Sequence, residues 1–130
     1  MAQIKIYGIK EQLNPLKVKF SETIHQVVVE VLNFPKEKRF HRFFPMNKED
    51  MLYGEGRSKA YTIIEIMMIE GRTVETKKAL IKTLFKKIEK EVAIAPQDLE
   101  ICIQEAPAYQ WGFHGMSGDE VLLKGTSKNR

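Results

Sequence analysis

The sequence predicts an α+β fold, a tandem β-α-β repeat that forms one four-stranded mixed sheet with two helices on one face. Three observations carry this reading. The order strand, helix, proline turn, strand occurs twice. The two turn prolines, Pro35 and Pro96, lie 61 residues apart, and the two candidate helix caps, Asn14 and Thr73, lie 59 apart. A helical crossover favours parallel pairing of the strands it joins, with a right-handed connection, so two such units place both helices on the same face. A chain of 130 residues has the length of one domain. Repeat units of about 1–50 and 58–106 are therefore expected to share a core, with 107–130 as a C-terminal extension.

Residues near 3 to 9 read as the first strand, because Ile4, Ile6 and Tyr7 form a β-rich run ending at Gly8. Asn14 as N-cap and Pro15 at the first helical position then open a helix whose apolar face is Leu16, Phe20, Ile24, Val27, Val28 and Val31, stopping near Asn33. Val27, Val28 and Val29 carry β propensity, which burial of one helical face overrides. Phe40, Phe43 and Phe44 mark the second strand, closed by Pro45. Tyr61 to Ile69 is nearly continuous in apolar residues, the pattern of a strand buried on both faces. Thr73 caps the second helix, whose apolar face is Leu80, Ile81, Leu84, Phe85, Ile88 and Val92, and Pro96 precedes a last strand, Leu99 to Gln104. The face opposite the helices needs a cover, so an uncovered apolar face predicts self-association. The tail from Lys124 to Arg130 reads as loose.

A hydrophobic fraction of 43% and a charged fraction of 29% are those of an ordinary globular chain. The single cysteine, Cys102, cannot form an internal disulfide, and the N-terminus lacks a secretion pattern, so a cytoplasmic location is expected. No apolar run reaches the roughly 20 residues of a membrane helix. A net charge of +4 and a pI near 9.1 permit anions from a small carboxylate to nucleic acid. Lys77, Lys78, Lys82, Lys86, Lys87 and Lys90, mixed with Glu75, Glu89 and Glu91, read as a solvated helix face. With no base-reading or stacking motif beside them, nucleic acid is not the expected partner.

Arg72 ends a strand just before a helix N-terminus, where a guanidinium and backbone N–H groups together suit a carboxylate. Its alternative role is a surface ion pair with Glu70 or Glu75. Arg39, His41 and Arg42 form a basic cluster at the second strand, with alternation putting Arg39 and His41 on one face and Arg42 on the other. Trp111 and Phe113 suit either an apolar pocket wall or a core or subunit contact. Gly54-Glu55-Gly56-Arg57 lacks a phosphate-loop spacing and reads as a flexible loop. His25, His41 and His114 are scattered without metal-ligand spacing, so neither a metal nor another cofactor is expected.

Two β-α-β units with Gly71-Arg72-Thr73 at the second crossover resemble the tautomerase superfamily over nearly the whole chain. Asn33-Phe34-Pro35, Arg39, Ala95-Pro96-Gln97-Asp98 and Trp111-Gly112-Phe113 are similar to its malonate semialdehyde decarboxylase-like members. Gly115-Met116 and Gly118-Asp119-Glu120 are similar to bacterial members of that group. The resemblance implies a homotrimer, an active site at the start of the first strand, and an N-terminal proline amine as catalyst. Ala2 stands where that proline aligns, and as a chain terminus it would supply an amine of ordinary pKa about 7.7 to 8.0. Arg72 matches a carboxylate-holding arginine of the decarboxylase-like members. Glu70 stands where they have a second arginine and Lys38 where they have a catalytic aspartate, two reversals that argue against decarboxylation by that route.

The resemblance thus implies keto-enol isomerisation of a small 2-oxo carboxylate. Arg72 and Arg39 hold the carboxylate, Trp111 and Phe113 form the wall, and Ala2 is catalytic only if it is N-terminal. The alternative is a non-catalytic homotrimer that binds a small anion or a protein through the vacated pocket.

Overall fold

In the computed structural model, which describes residues 2–123, four strands form the sheet: β1 (Ala2–Ile9), β2 (His41–Met46), β3 (Thr62–Ile69) and β4 (Leu99–Ala106). Their spatial order is β2-β1-β3-β4. β1 runs parallel to β2 and antiparallel to β3, and β3 runs parallel to β4, so each crossover joins a parallel pair and the sheet is mixed. The helices α1 (Lys10–Leu13), α2 (Lys17–Leu32) and α3 (Val74–Val92) are followed after β4 by a two-strand pair, β5 (Gly112–Phe113) and β6 (Met116–Ser117), and by α4 (Gly118–Leu123). The state of Met1 and the predicted loose tail, 124–130, lie outside the described residues.

Alternation along the strands separates two faces. Ile4, Ile6, Ile64, Ile66 and Met68 are buried against Phe20, Ile24 and Val27 of α2 and Leu80, Leu84 and Ile88 of α3. At roughly 1.5 to 3 kcal/mol per fully buried aliphatic or aromatic side chain, this layer is the main source of stability. The repeat is visible in detail. β1 and β3 have the same inward-outward burial alternation, and α2 and α3 end on left-handed residues, Asn33 and Ala93, 60 residues apart.

Several local expectations change. Asn14 is not the cap of the first helix; its N–H donates to Lys10 O, because the chain turns helical at Lys10 and passes through a tight turn at Asn14–Leu16 before α2. The second cap is as expected, with Thr73 Oγ1 accepting from Thr76 N–H at 3.1 Å. β3 is not buried on both faces: Ile63, Glu65 and Met67 lie half-exposed on the face away from the helices. That open face is mixed rather than apolar, since Gln3, Lys5, Arg42, Cys102 and Gln104 share it. β2 continues through Pro45 to Met46. The Ile4 N–H donates to Phe40 O at 3.0 Å, a phase that turns Pro45 outward on an edge strand, where its missing N–H removes no bond.

The segment between β2 and β3 closes one end of the open face. Met51 and Tyr61 are buried there with Ile9. Gly54–Arg57 is anchored rather than free-standing: Arg57 pairs with Glu100, and buried Asp98 accepts from Ser58 N–H and Oγ at 2.6 and 2.7 Å.

Candidate functional site

The opposite end of the sheet gathers Ala2, Arg72 and Trp111. There β1 begins and β3 and β4 finish, so Ala2, Met68 and Glu105 lie in one register row across three strands. Ala106 O is the hinge of this end. It accepts Glu70 N–H at 3.0 Å and Trp111 Nε1–H at 3.2 Å, which brings the Trp111 indole beside the Glu70-Gly71-Arg72 turn. Gly71 takes a φ of 135°, a backbone conformation that favours glycine, and delivers the chain from β3 to the Thr73 cap. Arg72 is half-buried in this turn.

One turn into α3, Lys77 reaches back to the same end. Its Nζ lies 2.8 Å from Glu105 Oε1, and both side chains are largely covered. Among the described residues, Glu105 Oε2 is buried and meets no hydrogen-bond donor. Lys77 therefore does not belong to the solvated helix face expected for it. The sequence signal was on β4: Ile101, Ile103 and Glu105 share one strand face, so an acid falls in the apolar phase.

After Trp111, the β5–β6 pair carries Phe113, whose ring meets His114 edge-on at 5.5 Å. Trp111 and Phe113 line one open hollow of about 570 Å³. Gly118 holds this segment to the body. Its N–H donates to Trp111 O at 2.8 Å, and a Cβ there would stand 2.4 Å from Ala108 O.

Arg39 is placed differently. It is exposed, just before β2, and lies two residues before the Ile4–His41 pair as Ala2 does on β1. It thus flanks Ala2 on the side away from β3. Arg42 sits on the open face, donating to Gln3 Oε1 at 2.8 Å, and His41 faces α2, so the two point to opposite faces. His41 is not isolated from His25. Their rings are 6.1 Å apart, His41 Nδ1 bonds Ser21 Oγ at 2.8 Å, and His25 Nε2–H donates to Lys36 O at 2.7 Å. Burial first, then His25 and Arg39, push the His41 pKa down to about 4, so it is neutral at pH 7. Among the described residues no group of three or more His, Cys, Asp or Glu is arranged to hold a metal.

The profile of a family described as "Tautomerase enzyme" matches residues 38–114. The chain belongs to the tautomerase family. That match spans Arg39, Arg72, Lys77, Glu105, Trp111 and Phe113, and it begins after Ala2. Among curated relatives, the probable tautomerase YusQ of Bacillus subtilis is 27% identical over 100 residues, 73% of this chain and 79% of that protein. The 2-hydroxymuconate tautomerase of Pseudomonas putida is 35% identical over 57 residues, 44% of this chain and 90% of that protein. Among solved structures, a malonate semialdehyde decarboxylase inhibited by 3-bromopropiolate superposes with a TM-score of 0.81 at 24% identity, covering 94% of this chain and 96% of that one. A fused 4-OT described as an asymmetric trimer superposes with the same score at 18% identity, covering 92% and 98%. These structural likenesses establish the tautomerase fold.

Proposed function

We propose that this tautomerase-family protein interconverts the keto and enol forms of a small 2-oxo carboxylate, with Arg72 as the residue that grips the carboxylate. The observation that carries the reading is the turn at the end of β3. Half-buried Arg72, a capped helix N-terminus and an indole tied to the same carbonyl as Glu70 occur at this turn, and all lie inside the family match. Arg39 is the second cation, on the far flank of β1, and Trp111 and Phe113 are the apolar wall. Ala2 contributes its amine if it is the chain terminus in the cell. A 2-oxo acid polarised by these cations loses its α-proton more readily because the enolate charge is stabilised where it develops.

The assembly proposed for this reading is a homotrimer. The open sheet face supports self-association because it leaves Ile63 and Met67 half-exposed among its polar residues.

The test is α-proton exchange of phenylpyruvate in deuterated water. Wild-type protein is expected to exchange, and Arg72→Ala to lose roughly ten- to a hundredfold, the size of a charge-assisted grip. No exchange in the wild type, together with retained binding of the acid, would replace this reading by the non-catalytic anion-binding one. Light scattering that returns a monomer would remove the trimer.

A further inference from the structure

The Trp111 arm is held at two points. The indole Nε1–H donates to Ala106 O at 3.2 Å, which keeps the ring beside the Glu70-Gly71-Arg72 turn, while the Trp111 carbonyl accepts Gly118 N–H at 2.8 Å. The second hold needs a glycine. Gly118 is buried, and a Cβ on it would overlap Ala108 O and stand 3.3 Å from Trp111 Cβ. A side chain at 118 must therefore push the start of α4 away from the 108–111 turn or move Trp111 itself. Neither change reaches the core, since Ala108, Trp111 and Gly118 lie outside the cluster packed between sheet and helices. Both change the site, because Trp111 is half-exposed and lines the open hollow with Phe113.

We infer that Gly118 is a positioning residue that fixes the Trp111 indole as a wall, and so sets how strongly the site favours 2-oxo acids with a bulky apolar group over small ones. This rests on the reading of the site as a tautomerase site and names a residue which that reading does not use. A wall contributes most when its place is fixed before the ligand arrives. A ring free to rotate is ordered at the moment of binding, and the lost freedom offsets the contact it makes. Two anchors on one residue remove that freedom in advance: the indole N–H ties the ring to the end of β4, and the carbonyl ties the backbone to the start of α4. A small 2-oxo acid binds through its carboxylate and oxo groups and gains little from the wall. Arg72, the carboxylate grip, stands in a different segment, so Gly118 acts on the apolar part of the substrate.

Proton exchange of phenylpyruvate, and of pyruvate, which lacks the aryl group, tests this. In Gly118→Ala the KM for phenylpyruvate is expected to rise roughly three- to tenfold, the scale of one aromatic contact, with kcat within about twofold of wild type and the pyruvate KM unchanged. In a Trp111→Leu background the same substitution should add nothing. A KM that rises equally for both acids, or a loss confined to kcat, would overturn the inference, as would an effect that persists without the indole. Should the wild type show no exchange, the dissociation constants of 3-phenylpropionate and propionate take the place of the two KM values. Trp111 is the only tryptophan in the chain, so its fluorescence reports on the arm directly. In the wild type its anisotropy should decay with tumbling of the whole protein, and a dominant fast component from ring motion would overturn the inference even if Gly118→Ala does not fold. A fixed indole and aryl selectivity without exchange would sink the catalytic reading alone; exchange with a mobile indole would sink this one alone.

Discussion

The two ends of the sheet share a backbone plan and differ in what fills them. An offset of 60 residues matches Gln12 to Arg72, Leu13 to Thr73, Lys17 to Lys77 and Pro45 to Glu105, and the strand register agrees, with Gly8 opposite Pro45 and Met68 opposite Glu105. At the first of these ends the helix starts directly after β1, and buried Leu13 fills the corner. Its side-chain atoms stand 3.4 to 3.7 Å from where a Cβ on Gly8 would lie, leaving a residual cavity of only about 60 Å³. At the second end a glycine turn, a capped helix and a charged pair occupy the equivalent corner. The repeat specifies the fold, and departures from it mark the candidate site. One corner was closed with hydrocarbon; its counterpart was left polar.

Three measurements press on this contrast. Leu13→Ala should produce the largest effect, a loss of about 2 to 5 kcal/mol in denaturant unfolding, because it opens a cavity at the packed corner. The affinity for carboxylates at the other end should stay unchanged in whatever fraction remains folded. A loss below about 1 kcal/mol would mean that the corner is not tightly packed and that the contrast is overstated.

The His41 site gives the next effect. Its folded pKa of about 4 lies below the unfolded value of 6.5, so between these pH values the unfolded chain binds more protons. The contribution of neutral His41 is complete above pH 6.5 and is lost as the pH falls toward 4, amounting to at most about 3 kcal/mol. Unfolding curves of wild type and His41→Gln between pH 7 and 4 should therefore converge as the solution becomes acidic. Parallel curves would show that His41 is not held neutral. Thr73→Ala should have the smallest effect, about 1 kcal/mol from the lost cap. Because Arg72 precedes the cap, its anion affinity should fall as well, which a merely structural cap at the closed end would not do.

Most of the fold was legible because it depends on periodicity and on punctuation by proline and glycine. Pro35, Pro96, Asn33 and Thr73 fell where the chain turns or caps. Asn14 misled because its side-chain preference is local, whereas the helix start was fixed by the need to bury Leu13 against Gly8. For the candidate site, Arg72 and Trp111 were legible through their neighbours in sequence. Lys77 and Glu105 were not, since an ion pair across 28 residues is set by register, and the lysine was masked among five others on its helix. The two histidines were hidden for the same reason, lying 16 residues apart on different elements.

The outward-facing Pro45 has a consequence for how copies of this chain add to one another. The β2 edge lacks a donor at that position, so a further strand joining there would forfeit a ladder bond, whereas the outer edge of β4 carries no proline. The sheet is thus lengthened more readily on one side than the other. Indefinite strand-by-strand growth, which needs both edges of every sheet, is therefore disfavoured by a single imino acid.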